Sequence, residues 1–261
     1  MNAGIPQFIS VGKGALERKI AVRHDEGSKL GVLWLSGFKS DMQGTKAQEL
    51  AKWAQEKGIT CTRMDYSGHG ESGGEFTDGT ISKWLEEAKA VFAEFCKGPT
   101  IVVGSSMGGW IALALAKAIA KGEKLGTGTL KGMVLIAPAP DFTEELMWKQ
   151  EFTEEIKREI METGRMERPS EYDDSPYIIT RDLIEDGRNN LLLGEPIPTG
   201  CPTIILQGQQ DASVPWEYAL RITERLVTDD VVLTLVKDGD HSLSRPQDIV
   251  RLLDAIETLR S

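Results

Sequence analysis

One serine near the middle of the chain stands in a setting that could make it a nucleophile. Residues 100–110, TIVVGSSMGGW, join a β-branched run to a helical pattern through a Gly-x-Ser-x-Gly motif formed by Gly104, Ser106 and Gly108. A serine on such a strand-to-helix turn exposes its hydroxyl above the sheet, and the glycines let neighbouring backbone approach closely. The free N–H groups that begin the helix could stabilise an oxyanion. The pattern predicts that Ser106 is a nucleophile; a glycine-rich turn without chemistry is the alternative.

A serine hydroxyl needs a base that accepts its proton, and the chain contains three histidines. We expect His24 to be an exposed residue of an early hairpin. We expect His69, in the loop after the predicted strand Thr60–Met64, to brace loops. His241 follows the last predicted strand, Val231–Val236, on a loop that would reach the carboxyl edge of a parallel sheet. His241 is therefore the predicted general base.

Two aspartates are candidates for the group that orients this imidazole. Asp211 follows the predicted strand Thr203–Leu206 and precedes a helix, so it would lie at the same edge of the sheet as His241. Asp141 follows the preceding strand and would also reach that edge. Asp240 is adjacent to the histidine and is expected to fix its own loop. The spacing favours Asp211 and leaves Asp141 as the alternative.

Two backbone N–H groups are predicted to form an oxyanion hole. One is the amide of Met107, directly after the nucleophile, and the other is the amide of Phe38, which follows Gly37 at the end of the strand Leu30–Ser36. We interpret Lys39 in the same loop as surface charge, with attraction of an anionic leaving group as the alternative.

The elements that must position these residues alternate between strands and helices. Two short runs, Gln7–Val11 and Lys19–His24, predict a hairpin at the edge of the sheet, and strand–helix alternation follows along the chain. The pattern predicts an α/β fold with a mostly parallel, doubly wound sheet of about eight strands. We expect residues 1–140 and 199–261 to form its core.

Residues 141–198 interrupt the alternation and are predicted to form a small helical lid over the carboxyl edge of the sheet. Apolar side chains at every fourth position indicate an amphipathic helix, namely Trp148, Phe152, Ile156 and Ile160. A second helix is predicted from 180 to 193. Met147, Trp148 and Phe152 could line an acyl pocket or could only hold the lid to the body.

The composition excludes several classes of protein. The 261 residues, 40% hydrophobic and 27% charged, suit a globular fold, and a net charge of −10 argues against nucleic-acid binding. Three cysteines and three histidines without metal-like spacing predict no metal site, and catalysis by a serine with a histidine base needs no cofactor. The longest apolar run, Trp110–Ala120, contains Lys117 and is too short for a membrane span. With no recognisable leader sequence, we expect a cytoplasmic protein whose partner is a small-molecule or acylated substrate; the pattern leaves its oligomeric state open.

Several motifs together resemble the α/β-hydrolase superfamily over nearly the whole chain. Within it, the chain is similar to the branch that holds a mitochondrial palmitoyl-protein thioesterase and acyl-glucuronide esterase with bacterial relatives. The more specific motifs are GFKSDM at 37–42, GTKA at 44–47 and RMDYSG at 63–68, accompanied by GSSMGGW at 104–110, CP at 201–202, VPW at 214–216 and DH at 240–241. Many members carry histidine where this chain has Ser36 and Gln207, so the hydrogen bonds that shape these two loops should differ.

The resemblance implies a serine hydrolase for carboxylic esters or acyl thioesters, with Ser106 as nucleophile, Asp211 as acid and His241 as base. It assigns the oxyanion amides to Phe38 and Met107. Two alternatives remain at this point. The same residues could act on C–C bonds of diketones or on peptide bonds, or the chain could be a binding protein without catalysis.

Overall fold

An eight-stranded sheet forms the centre of the molecule. The computed structural model describes residues 5–168, 177–227 and 230–261. The strands follow one another in space as β1-β2-β4-β3-β5-β6-β9-β10. Their bounds are β1 Gln7–Val11, β2 Arg18–Asp25, β3 Ser28–Leu35, β4 Ile59–Met64, β5 Pro99–Ser105, β6 Thr129–Ile136, β9 Thr203–Gly208 and β10 Val231–Val236.

β2 alone runs in the opposite direction to the other seven strands of this sheet. It pairs with β1 and β4 in the antiparallel sense, whereas the other pairs from β4 to β10 are parallel. Strands covered on both faces need no polar alternation, and Ile101, Val102 and Val103 of β5 are fully buried. The predicted edge hairpin and the mostly parallel α/β sheet are confirmed.

Helices cover both faces of the sheet and close two hydrophobic clusters. Leu50 and Ile256 lie in one cluster, beneath α1 (Thr45–Lys57) and α7 (Pro246–Arg260), whereas Trp84 and Trp110 lie in the other, beneath α2 (Ile81–Phe95) and α3 (Met107–Ala120). The five helices that flank the sheet are α1 Thr45–Lys57, α2 Ile81–Phe95, α3 Met107–Ala120, α6 Trp216–Arg225 and α7 Pro246–Arg260. Within the described ranges, every helix is too short or too polar to cross a membrane.

The segment between β6 and β9 contains a small sheet as well as helices. Its elements are a π-helix at Thr143–Glu151, α4 Glu154–Thr163, the antiparallel pair β7 Arg165–Arg168 and β8 Tyr177–Thr180, and α5 Arg181–Asn189. The sequence pattern did not predict this strand pair, because four-residue strands in a charged stretch give little periodicity. The division into a core and a lid at 141–198 stays a prediction.

The helix predicted from the four-residue spacing in this segment is interrupted. The π-helix ends at Glu151, and α4 starts separately with the side chain of Thr153 accepting the N–H of Ile156. The N–H of Phe152 donates to the carbonyl of Met147, the five-residue step of a π-helix. The predicted single helix is therefore two separate helices, with Phe152 in an extended conformation between them.

Candidate active site

Ser106 lies on a strained turn between β5 and α3. Its φ of 54° and ψ of −118° are costly for a residue with a side chain. Two backbone bonds hold it there: its N–H donates to the carbonyl of Ile136 at 2.9 Å, and its carbonyl accepts the N–H of Ala139 at 3.1 Å. A Cβ atom on Gly104 would lie 2.4 Å from the carbonyl oxygen of Gly108, so the turn requires glycine there.

His241 bridges the serine and one of the two candidate aspartates. Its Nε2 atom lies 3.1 Å from the Oγ atom of Ser106, and its Nδ1 atom lies 2.7 Å from Oδ2 of Asp211. The carboxylate can only accept, so Nδ1 carries a proton and Nε2 of the neutral ring is able to accept one from the hydroxyl. The imidazole is one-fifth exposed, whereas the aspartate side chain is fully buried.

Both oxygens of Asp211 are fixed by further donors. Oδ1 accepts the N–H groups of Ser213 at 2.9 Å and Val214 at 2.8 Å. Oδ2 accepts a bond from Nε2 of Gln207 at 3.0 Å, in addition to its contact with His241. A buried carboxylate with this many donors is held in one orientation. Gln207 thus occupies the position where many superfamily members carry histidine, and it supports the aspartate.

Asp141 faces the segment that follows α5. Its two oxygens accept the N–H groups of Leu192 and Leu193, each at 2.8 Å, and burial raises the pKa of this carboxyl. The neighbouring carbonyl of Pro140 accepts the hydroxyl of Tyr218 at 2.6 Å. The geometry therefore connects Asp141 to the return of the chain towards β9, and the described contacts of His241 involve Asp211 instead.

The structure also places Asp240, His24 and His69, three other residues that the sequence analysis named. Asp240 accepts the N–H of Leu243 at 2.9 Å within its own loop. His24 is part of β2, half-buried, with Nδ1 2.9 Å from the hydroxyl of Thr62, so it is not the exposed turn residue we expected. His69 is buried among aromatic rings in the loop after β4. Neither of these two histidines contacts Ser106 through a described hydrogen bond.

The predicted oxyanion amides lie on opposite sides of Ser106 in the chain. Met107 is the first residue of α3, where N–H groups have no partner within the helix. Gly37 packs against the nucleophile so closely that a Cβ atom there would lie 3.3 Å from Cβ of Ser106. Phe38 follows it, and Lys39 has a φ of 55° in the left-handed region. This sharp turn brings the backbone of the loop beside the serine.

A cleft of about 770 Å³ opens above Ser106 and His241. One group of lining residues is apolar and comprises Phe38, Ala139, Phe142, Leu146, Met147, Val214 and Pro215. Another group is polar and includes Ser40, Thr45, Lys46, Ser242 and Ser244. The cleft therefore has both apolar and polar side chains in its lining.

Of the three residues considered for an acyl pocket, only Met147 lines this cleft. The ring of Trp148 packs edge-on against Phe152 at 6.4 Å and lies 4.5 Å from the guanidinium carbon of Arg188. Phe152 is buried in the core. Phe142 and Leu146, which the sequence analysis did not select, line it instead.

Lys46 connects α1 to the loop that carries His241. Its ammonium donates to the carbonyl of Ser242 and, at 3.2 Å, to the hydroxyl of Ser244. Burial lowers the pKa of this lysine to about 8, although Asp240 and Asp248 oppose the shift. The contact spans 196 positions, so no local sequence pattern signals it.

The fold defined by this sheet and its flanking helices is that of the α/β-hydrolases, and comparisons with known proteins agree. A family model described as serine aminopeptidase, S33, matches residues 28–190. The chain belongs to this family of the α/β-hydrolase superfamily.

Two named relatives and two solved structures are also similar to this chain. The palmitoyl-protein thioesterase ABHD10 of Homo sapiens, named as mitochondrial, is 33% identical over 242 residues, which cover 92% of this chain and 76% of the relative. A carboxylesterase of Bacillus subtilis is 26% identical over 245 residues, which cover 86% and 90% of the two chains. A solved structure from Agrobacterium vitis S4 is 49% identical, with a TM-score of 0.93 and 98% of both chains covered. The mouse ABHD10 structure is 31% identical, with a TM-score of 0.83 and 97% and 98% covered.

Proposed function

We propose that the protein is a serine hydrolase that cleaves carboxylic esters or acyl thioesters through an acyl-enzyme on Ser106. The observation that carries this proposal is the position of His241, whose two ring nitrogens lie within hydrogen-bond distance of Ser106 and Asp211. The relatives named as a thioesterase and a carboxylesterase support the type of bond.

In the first half of the reaction, Oγ of Ser106 attacks the acyl carbonyl carbon while Nε2 of His241 takes the hydroxyl proton. The electron pair of the carbonyl moves onto its oxygen, and Asp211 stabilises the imidazolium that forms. When the tetrahedral intermediate collapses, the bond to the leaving oxygen or sulfur breaks, and His241 returns the proton to that atom. The acyl group is then bound to the serine.

In the second half, water replaces the leaving group and the same base removes one of its protons. The hydroxide attacks the acyl-serine carbonyl, and collapse of the second intermediate releases the carboxylic acid while the proton returns to Ser106. The amides of Phe38 and Met107 donate to the oxyanion in both halves. This sequence of steps uses no metal and no cofactor.

The two groups of residues that line the cleft suggest how a substrate binds. We assign the acyl chain to the apolar group that includes Phe142, Leu146 and Met147, because burying methylene groups against apolar side chains is favourable. The leaving group would then contact the polar residues near Lys46 and Ser242. Carboxylic ester and thioester substrates with an apolar acyl chain and a polar leaving group suit this arrangement.

A substrate panel tests the bond type. Purified protein is assayed with p-nitrophenyl esters and acyl-CoA thioesters of increasing chain length, alongside β-diketones and peptide p-nitroanilides. We expect Ser106-dependent turnover of esters and thioesters, and Ser106→Ala should reduce it by about four orders of magnitude or more. Turnover restricted to diketones or peptides would replace the proposed bond type, and unchanged ester turnover in Ser106→Ala would refute the mechanism.

The location of the protein in the cell remains a prediction. We predicted a cytoplasmic protein from the sequence, whereas the matched human thioesterase is named as mitochondrial. Cell fractionation of the organism's own protein would decide between these locations.

A further inference from the structure

We propose that His69 is a positioning residue that holds the oxyanion loop, residues 37–42, through a hydrogen bond from the backbone of Lys39. This inference rests on the proposed function, because the loop contains Phe38, whose amide we assign to the oxyanion. The N–H of Lys39 donates to Nε2 of His69 at 3.1 Å.

The loop needs such a contact because its backbone is strained. Lys39 has a φ of 55°, a left-handed conformation that is unfavourable for a residue with a side chain. A conformation of this kind persists only where surrounding contacts determine it. Further along the loop, the N–H of Ser40 donates to the carbonyl of Gly37 at 3.2 Å and the N–H of Met42 donates to Oδ1 of Asp65 at 2.7 Å. The bond to His69 is made at the strained residue itself.

The partners of His69 determine which ring nitrogen carries its proton. The carbonyl of Ser67 can only accept, and it lies 3.1 Å from Nδ1, whereas the N–H of Lys39 can only donate to Nε2. Both bonds form only when the ring is neutral with its proton on Nδ1. Burial lowers the pKa of His69 to about 4, against weaker opposing effects of the Ser67 carbonyl and Asp41, and so favours this state.

The imidazole itself is held by aromatic rings that also contact the oxyanion loop. Its centroid lies 5.2 Å from that of Phe76 and 5.3 Å from that of Trp84. The ring of Phe38 packs against the same two side chains, at 4.9 Å and 6.0 Å. The indole N–H of Trp84 donates to the carbonyl of Ser67 at 3.2 Å. His69 and Phe38 thus share one rigid support.

The position of the bond explains how it would act on the reaction. The amide of Lys39 follows Phe38 directly, so rotation at this point would change the direction of the Phe38 N–H. An oxyanion donor must be aligned with the charge that develops in the transition state, and loss of one such donor costs about 10²–10³ in rate. Loss of the His69 acceptor should misalign the donor and lower kcat without changing ground-state binding to the same extent.

Two substitutions of His69 separate its acceptor from its bulk. His69→Gln places an amide oxygen near the former Nε2 atom and keeps an acceptor for Lys39. His69→Asn reaches only the former Nδ1 position, so it can bond to Ser67 but not to Lys39. A residue that only fills space would lower Tm in these variants without weakening the binding of an oxyanion mimic.

The experiment measures kcat and KM on a p-nitrophenyl ester, the affinity for phenylboronic acid as an oxyanion mimic, and Tm for both variants. We expect His69→Asn to lose about 10- to 100-fold in kcat and to weaken boronic acid binding in parallel, with KM within about threefold. We expect His69→Gln to stay within about threefold of the parent in kcat. Equal kcat values for the two variants, whether high or low, would overturn the proposal.

His69→Phe provides a second comparison if the asparagine variant does not fold. It keeps a ring against Phe76 and Trp84 and removes the acceptor, so its kcat should fall below that of His69→Gln. Equal kcat values for His69→Phe and His69→Gln would again overturn the role of His69. Ser106→Ala in the same assay tests the proposed function separately: if it remains active, that function fails, whereas a failure confined to the His69 variants removes only this inference.

Discussion

The Nε2 atom of His241 lies 3.1 Å from the Oγ atom of Ser106, although 135 positions separate the two residues in the chain. The serine is fixed by the turn between β5 and α3, and the histidine by the loop between β10 and α7. Since parallel strands end at the same edge of a sheet, two distant loops meet there. The account of the reaction depends on this meeting.

The different contacts of Asp211 and Asp141 predict that replacing each by asparagine has unequal effects on kcat. Asp211→Asn should reduce kcat by about 10³–10⁴, because an amide cannot hold the imidazole in the required protonation state. Asp141→Asn should leave kcat within about tenfold and lower Tm, since Asp141 accepts the N–H groups of Leu192 and Leu193. Steady-state kinetics and thermal unfolding of both variants give the answer. If Asp141→Asn lost most of its kcat while Asp211→Asn kept a nearly normal kcat, the assignment would be reversed.

The contact of Lys46 with the loop of His241 predicts an alkaline change in rate. The pKa of Lys46 is lowered by burial to about 8, so its ammonium loses a proton as the pH rises through this value and its bond to Ser242 weakens. The parent kcat should decline with a midpoint near pH 8. Lys46→Met should be slower at pH 7 and lack this decline, whereas Lys52→Met, an exposed site on the same helix, should behave like the parent. An alkaline decline that persists in Lys46→Met would contradict the prediction.

The apolar part of the cleft predicts a change in chain-length preference. Leu146→Trp adds bulk to the lining, and overpacking should exclude long acyl chains more than short ones. We expect kcat/KM for dodecanoyl esters to fall about tenfold or more relative to acetyl esters. Trp148→Ala is the matched control, because Trp148 is absent from the lining and should leave the preference unchanged. If Trp148→Ala shifts the preference and Leu146→Trp does not, the acyl chain binds elsewhere.

The lowered pKa of His69 predicts that the folded protein loses stability in acid. Its folded pKa of about 4, lowered by burial, lies below the ordinary imidazole value of 6.5, so between these pH values the unfolded chain binds a proton that the folded chain does not. The free energy of unfolding must therefore decrease as the pH falls from 6.5 to 4, by up to about 3 kcal/mol from this residue. Urea unfolding of the parent and His69→Gln over this range isolates the effect. Parallel pH profiles for the two proteins would disprove it.

Local patterns in the sequence were sufficient for the framework of the fold. The run around Val102 predicts a strand because both faces of a parallel sheet are apolar, and the glycines beside Ser106 mark a turn that a Cβ atom would obstruct. The same patterns could propose Ser106, Asp211 and His241 because each follows a strand at the same edge. The spacing favours Asp211 but leaves Asp141 as the alternative, because both aspartates follow a strand at this edge.

The segment between β6 and β9 shows where the patterns fail. A four-residue spacing predicts one helix through Trp148 and Phe152, but the structure has a π-helix that ends at Glu151 and a separate α4, and neither aromatic residue lines the cleft. Helix type depends on tertiary packing that a single sequence does not reveal. The sequence predicts that His69 braces loops, but it does not identify Lys39 as the partner of His69 or Ser242 as the partner of Lys46. These contacts join segments that are distant in sequence, so no periodicity reports them.

Covalent labelling of Ser106 tests the central claim most directly. A fluorophosphonate reacts with a serine whose hydroxyl is activated by a base and whose oxyanion site is formed. Mass spectrometry of the parent protein should show one adduct on the peptide that contains Ser106, no adduct in Ser106→Ala, and labelling at least about 10³-fold slower in His241→Ala. Labelling of His241→Ala at the parent rate, or an adduct on a different residue, would contradict the account.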